Sequence, residues 1–159
     1  MNIVEHSFYI IKDDFFKDFP DSSLVKNKKG KRPHYYCFKD NFEIIWVIPT
    51  TSQINKIDKI IDNKKKNGQQ YEDLFHFLKI GHKEGVLLIA NMFPLTKKYI
   101  EREYTIEGEP FKLLDRSKIL KIDKKAKKIL ALLRKGVKFT PIQADVLKIE
   151  SELKSKLNH

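Results

Sequence analysis

The sequence predicts an α+β fold: a twisted antiparallel β-sheet core with two long C-terminal helices packed against it. Two observations carry this. Between Ser7 and Leu114 the apolar segments are short, rich in aromatic and β-branched residues, and set apart by Gly, Pro, Asn and Asp, as strands joined by turns are. Beyond Leu114 the apolar residues recur instead at helical spacing, in two long stripes. Strands first and helices last put the helices on the sheet rather than between successive parallel strands.

Taken in order, Ser7 to Ile11 is a compact apolar run of strand length. Asp13 to Phe19 begins on an N-cap candidate and stops at Pro20, which suits a short helix. Residues 20–32 read as a loop, with Lys26, Lys28, Lys29, Lys31 and Arg32 around Gly30 and too little apolar content to be packed. Pro33 has no N–H and belongs at the start of a strand or on an edge. His34 to Phe38 and Phe42 to Ile48 then form a hairpin about Asp40-Asn41, residues that tolerate the positive φ of a two-residue turn. Ile54, Ile57, Ile60 and Ile61 mark a helix that ends in Lys64-Lys65-Lys66-Asn67-Gly68.

Leu74 to Ile80 and Val86 to Met92 make a second hairpin across Gly81-His82-Lys83-Glu84-Gly85, stopped by Pro94. Tyr99 to Ile106 and Phe111 to Leu114 add a further pair around Gly108-Glu109-Pro110. The first C-terminal stripe is Ile119, Ile122, Ala126, Ile129, Leu130 and Leu133, with Gly136 where a C-cap glycine belongs. Thr140-Pro141 supplies an N-cap and a first-turn proline for the second, whose stripe is Ile142, Val146, Ile149, Leu153 and Leu157.

A chain of 159 residues is expected to form one domain, 1–159, with a core that needs no disulfide or metal staple. Its formal charge of +11, from 32 Lys plus Arg against 21 Asp plus Glu, attracts polyanions: nucleic acid or an anionic membrane surface. A generally Lys-rich proteome is the ordinary explanation of the same number. The single cysteine, Cys37, excludes an internal disulfide, fits a reducing compartment and sits mid-strand, where a buried inert thiol is expected. No signal-peptide layout is seen, and no apolar run nears the roughly 18 residues of a membrane span, so a cytoplasmic location without a membrane partner is expected.

The hairpin concentrates the chemistry. Antiparallel pairing brings Lys31 and Arg32 beside Thr51 and Ser52, setting fixed positive charge next to side-chain oxygens. Such a group suits a phosphodiester, and RNA in particular, because the neighbouring 2'-hydroxyl is a tethered nucleophile and no metal is required. Arg32 offers a bidentate fork to non-bridging oxygens. Thr51 and Ser52 can donate to the phosphate or orient the 2'-hydroxyl, Lys31 or Lys56 can hold the backbone or act as the acid, and His34 titrates near neutral pH. Ordinary roles stand beside these: Ser52 as the N-cap of the following helix, His34 as a solvent-facing edge residue, Tyr35, Tyr36 and Trp46 as core. His76 and His82 have no partner at a metal-ligand spacing, and helix capping accounts for Asp13-Asp14, so neither a metal nor a cofactor is expected.

Arg32-Pro33, a strand, a turn, a second strand and Pro49-Thr50-Thr51-Ser52 resemble the signature of the ToxN, AbiQ and CptN endoribonuclease toxins of type III toxin-antitoxin systems, whose sheet core is shared with the MazF and Kid toxins. Phe8-Tyr9-Ile10-Ile11, Asn91-Met92-Phe93-Pro94 and the paired C-terminal helices are similar as well, the CptN branch most of all. The resemblance implies a metal-independent endoribonuclease that leaves a 2',3'-cyclic phosphate and a 5'-hydroxyl. It implies inhibition by a small repeated pseudoknot RNA, which the toxin also excises from a longer transcript, in a closed toxin-RNA assembly, with mRNA as target and no protein antitoxin. By position it assigns catalysis to Arg32, Thr51 and Ser52, while the family's lysine just past the serine has no direct match here, since Gln53, Ile54 and Asn55 precede Lys56. RNA is then expected along Lys26, Lys28, Lys29, Lys64, Lys65, Lys66, His82, Lys97 and Lys98. The rival readings are a non-catalytic RNA-binding module and a MazF-like toxin restrained by a protein antitoxin.

Overall fold

The structure, a computed structural model, describes residues 1–140 and 142–157. Seven strands, β1 (Phe8–Ile11), β2 (His34–Lys39), β3 (Ile45–Thr51), β4 (Phe75–Ile80), β5 (Lys83–Leu88), β6 (Phe93–Leu95) and β7 (Ile100–Glu103), form one sheet of order β4-β5-β3-β2-β1-β7, with β6 also on β3. All of its pairings are antiparallel. β8 (Thr105–Ile106) and β9 (Glu109–Pro110) make a small separate hairpin. α1 (Asp13–Asp18) and α2 (Ile54–Lys66) interrupt the strands, and α3 (Arg116–Arg134) and α4 (Val146–Leu157) close the chain. The α+β architecture expected from the sequence is the one observed.

The near-continuous apolar runs have a simple cause: β1 and most of β2 and β3 are covered on both faces. Trp46, Tyr9, Tyr35, Phe8, Phe15 and Phe93 fill the interior. Onto this α3 lays Ile122, Ala126, Ile129, Leu130 and Leu133, and α4 lays Val146, Ile149 and Leu153. The two helices are joined by a bidentate pair, Arg134 Nη1 and Nη2 donating to Glu150 at 2.8 and 2.9 Å, with the guanidinium 5.9 Å from the Trp46 ring. Tyr35, Tyr36, Trp46 and Cys37 are all core residues, and burial raises the Cys37 thiol far above its ordinary value.

Several boundaries differ from the sequence expectation, each for a local reason. The first turn is longer than Asp40-Asn41: the Asp40 carboxylate accepts from the N–H groups of Phe42 and Ile44, Glu43 has φ 67°, and the second strand starts at Ile45. The second hairpin turns on Gly81-His82 alone, Gly81 at φ 66°, so Lys83, Glu84 and Gly85 are strand residues. Its second strand stops at Leu88, and Pro94, rather than ending the sheet, lies within β6 opposite Trp46. α1 is preceded by Lys12, and Asp13, inside the helix, instead accepts from Asn27 Nδ2. α4 begins at Val146, its first turn closed by Asp145, whose carboxylate accepts from the Lys148 N–H. Ile142 is thereby exposed, outside the stripe, and Pro141 lies outside the described residues.

The basic loop is packed, contrary to the expectation from its composition. Leu24 and Asn27 are buried; Asn27 Nδ2 donates to the Ile11 carbonyl at 2.8 Å and to Asp13 at 2.7 Å. The Asn27 carbonyl in turn accepts from the N–H groups of Lys31 and Arg32, both at 3.0 Å. Between them Lys28, Lys29 and Gly30 all take positive φ, of 47°, 56° and 79°. Two lysines in the left-handed region cost on the order of 1 kcal/mol each, and the buried Asn27 hydrogen bonds offset this.

Candidate active site

The β2–β3 register builds the site. His34 stands opposite Pro49 and Tyr35 opposite Ile48; continued outward, that register sets Pro33 against Thr50 and Arg32 against Thr51. Thr50, 3% exposed, fixes the first of these contacts by donating its hydroxyl to the Pro33 carbonyl at 2.8 Å. On its other edge β3 is joined by β5, Thr51 pairing with Val86. A cavity of about 400 Å³ opens where these strand ends meet the basic loop, and Lys28, Lys31, Arg32, Thr51 and Ser52 line it.

Each of these groups is held in a usable state. The Arg32 backbone is fixed by the Asn27 carbonyl at its N–H and by the His34 ring at its own carbonyl, 3.2 Å from Nδ1. Partial burial lowers the guanidinium from arginine's ordinary value, yet arginine stays charged at any physiological pH. The Thr51 oxygen accepts the Gln53 N–H at 3.2 Å, which leaves its proton for donation outward. Ser52 is exposed and does not cap α2, which starts at Ile54 after Gln53 with no side-chain cap.

His34 does not belong to this group. It is 0% exposed, its ring edge-on to Phe93 at 5.5 Å between centroids, and burial pushes it down to about 4. A strand residue two positions from Arg32 shares its face, but here that face passes under the sheet's cover within one turn of the pleat. The imidazole supports the Arg32 carbonyl from below and has no route to a substrate. Lys56, on the exposed side of α2, is likewise not part of the cavity wall.

The lysines expected to face RNA divide. Lys28 and Lys31 line the cavity, while the exposed Lys26 and Lys29 flank it in sequence without lining it. Lys64 Nζ donates to the Phe139 carbonyl at 3.4 Å and Lys65 lies 5.3 Å over the Tyr71 ring; with the exposed Lys66 they end α2. His82 is exposed at the β4–β5 turn. Lys97 and Lys98 line a different cavity, of about 370 Å³, together with Lys39 and Tyr36.

Sequence reasoning missed Lys83, Glu84 and Tyr104, which complete the wall. The sequence pattern puts Lys83 and Glu84 in a loop, and a shorter turn at Gly81 is the available signal. Tyr104 arrives through the pairing of β1 with β7, and nothing local announces it. Arg102 on β7 also reaches the basic loop, donating to the Gly30 carbonyl at 3.3 Å.

No protein-family model matches the chain, and no curated protein matches its sequence. Solved structures do match. One, from work on bacterial type III toxin-antitoxin systems and selective toxin inhibition by a non-coding RNA pseudoknot, superposes with a TM-score of 0.67 at 17% identity, over 98% of this chain and 100% of its own. Another, from work on a processed non-coding RNA that regulates a bacterial antiviral system, gives 0.59 at 14% identity, over 96% and 97%. The chain therefore shares their fold along nearly its whole length.

Proposed function

We propose that the chain is a metal-independent endoribonuclease, the toxin of a type III toxin-antitoxin system. One observation carries the reading: Arg32, Thr51 and Ser52, far apart in sequence, line a single cavity with Lys28 and Lys31. Cleavage there runs by transesterification. The 2'-oxygen attacks the adjacent phosphorus, the 5'-oxygen leaves, and the products are a 2',3'-cyclic phosphate and a 5'-hydroxyl. Arg32 holds two non-bridging oxygens as negative charge gathers on them, and Thr51 and Ser52 donate to the same phosphate, preorganised by strand pairing and by the Thr51–Gln53 contact. Lysines of the basic loop hold the flanking backbone and offer ammonium protons to the departing oxygen.

The inhibitor is a small repeated pseudoknot RNA bound over the same cavity, in a closed toxin-RNA assembly, and the enzyme releases it from a longer transcript; mRNA is the target in its absence. The fold shared with a protein studied for toxin inhibition by an RNA pseudoknot supports this partner. Among the described residues no helix is long and apolar enough to cross a membrane, in keeping with action in the cytoplasm.

The test is cleavage of total cellular RNA by purified protein in excess EDTA, with end analysis of the products. Arg32→Ala and Ser52→Ala should each lower the single-turnover rate roughly 10²–10³-fold, the usual cost of a preorganised donor. Undiminished cleavage by both variants removes the site, and RNA binding without cleavage by the parent protein makes the chain a binding module.

A further inference from the structure

Transesterification needs a group to take the 2'-hydroxyl proton, and none of the residues assigned above does so. His34 is sealed in the core, while His76 and His82 do not line the cavity. Around the wall stand Lys28, Lys31, Arg32 and Lys83, all donors, with the hydroxyls of Thr51, Ser52 and Tyr104. The one carboxylate among the side chains lining that wall is Glu84.

We propose that Glu84 is the general base of this site, an inference that rests on the ribonuclease reading above. Its placement follows from register. Val86 pairs with Thr51, and Glu84 lies two residues along β5 from Val86, so the two project from the same face. Arg32 precedes β2 by two residues, and the β2–β3 register continued outward brings it beside Thr51 on the far side of β3, so Arg32 borders the face that Thr51 and Glu84 share. A diagonal neighbour of this kind lies about 7–8 Å away, room for a ribose between the carboxylate and a phosphate held by Arg32 and Thr51. Glu84 is exposed, and although Lys79 stands opposite it on β4, the two form no ion pair among the described residues. Among the described residues its oxygens take part in no side-chain hydrogen bond or ion pair, whereas the buried Glu150 is committed to Arg134.

In the step itself the 2'-O–H bond breaks and its proton passes to Glu84 Oε, while the 2'-oxygen forms a bond to phosphorus. The bond from phosphorus to the 5'-oxygen then breaks, and that oxygen takes a proton from the Lys31 ammonium. Exchange with water afterwards restores both side chains. The surrounding cations keep the carboxylate from repelling the substrate phosphate.

The experiment compares single-turnover cleavage and binding of a single-stranded RNA that the parent protein cuts, across pH, for the parent, Glu84→Gln, Glu84→Asp and Glu84→Ala. Glu84→Gln should cut roughly 10²–10⁴-fold more slowly. It should bind the RNA as tightly or more tightly, having lost a negative charge, and should lack the decline in rate toward acid pH that a carboxylate base imposes on the parent. Glu84→Asp should recover part of the rate, and added formate should speed Glu84→Ala alone. A Glu84→Gln protein that cuts at the parental rate, or whose whole defect is weaker binding, overturns the assignment. If Arg32→Ala is inactive while Glu84→Gln is fully active, the ribonuclease reading stands and only the base is wrong; if the parent cuts no RNA, both fall.

Discussion

Replacing His34 with phenylalanine separates a structural imidazole from a catalytic one. The ring is fully buried, its Nδ1 lies 3.2 Å from the Arg32 carbonyl, and its Nε2 has no hydrogen-bond partner among the described residues. Burial holds it down to about 4, against an ordinary value of about 6.5 in the unfolded chain. As pH falls the unfolded chain binds the proton first. The stability that neutral His34 contributes is therefore complete above pH ~6.5 and is lost as pH drops through ~4. The gap between those two values corresponds to about 3 kcal/mol, most of it gone by pH ~4.5.

Urea unfolding of the parent and His34→Phe at pH ~7.5 and ~4.5 reads this directly, since carboxylates titrate alike in both proteins and cancel in the comparison. The parent should lose roughly 2–3 kcal/mol more than the variant across that interval. Single-turnover cleavage by His34→Phe should keep the parental pH profile in shape, with at most a uniform reduction from the lost support of Arg32. Equal acid loss in the two proteins would refute the buried neutral state. Disappearance of a near-neutral inflection in the cleavage profile would return His34 to the chemistry.

Other consequences follow from the same contacts. Asn27→Ala removes both side-chain hydrogen bonds and leaves the Ile11 carbonyl buried without its partner, costing about 2–3 kcal/mol by urea unfolding. Cleavage should fall about 100-fold as the Arg32 loop shifts, and an unchanged rate would detach the loop from the site. Glu150→Gln should cost roughly 1–3 kcal/mol, the half-exposed Arg134 tempering the value for a buried pair. Because Arg134 holds the Glu150 carboxyl below its usual range, that stability is present above pH ~4.3 and lost below it as the folded carboxyl takes its proton; the glutamine variant should lack this acid loss. Lys83→Ala should reduce the slope of log affinity for single-stranded RNA against log salt by about 0.7, and an unaltered slope would place Lys83 off the RNA path.

What the sequence made legible is local. The stripe from Ile122 to Leu133 dictates α3, and the aromatic and β-branched runs dictate β1, β2 and β3, because their burial on both faces leaves no alternation to misread. The convergence of Arg32, Thr51 and Ser52 on one cavity is legible because one hairpin's register suffices to bring them together, whatever the length of its turn. The departures from the sequence pattern share a cause, side chains that satisfy backbone groups across a distance. Asp40 lengthens its own turn, Asp145 starts α4 late, and Asn27 folds a loop whose composition reads as solvated. His34 illustrates the limit of alternation: the strand pattern leaves its facing open, and what buries the ring is Phe93, some 60 positions on.

The position of the cavity itself has a physical origin in β3. This strand changes partner along one edge, Ile45 to Val47 pairing with β6 and Thr50 and Thr51 with β5. Ile48 and Pro49 fall in the gap between them. A proline inside a central strand ordinarily forfeits a ladder hydrogen bond, but at a change of partner there is no ladder to interrupt. Pro49 thus fits where β6 has ended and β5 has not begun, and it still faces His34 on the β2 side. Beyond the gap β5 lies against the last residues of β3 and brings Glu84 with it, while β2 brings Arg32 from the other side. A strand that kept one partner throughout would carry a single neighbour's side chains to its end. Exchanging partners at Pro49 is what lets three strands converge on Thr51 and Ser52, with the anchored basic loop forming the remaining wall.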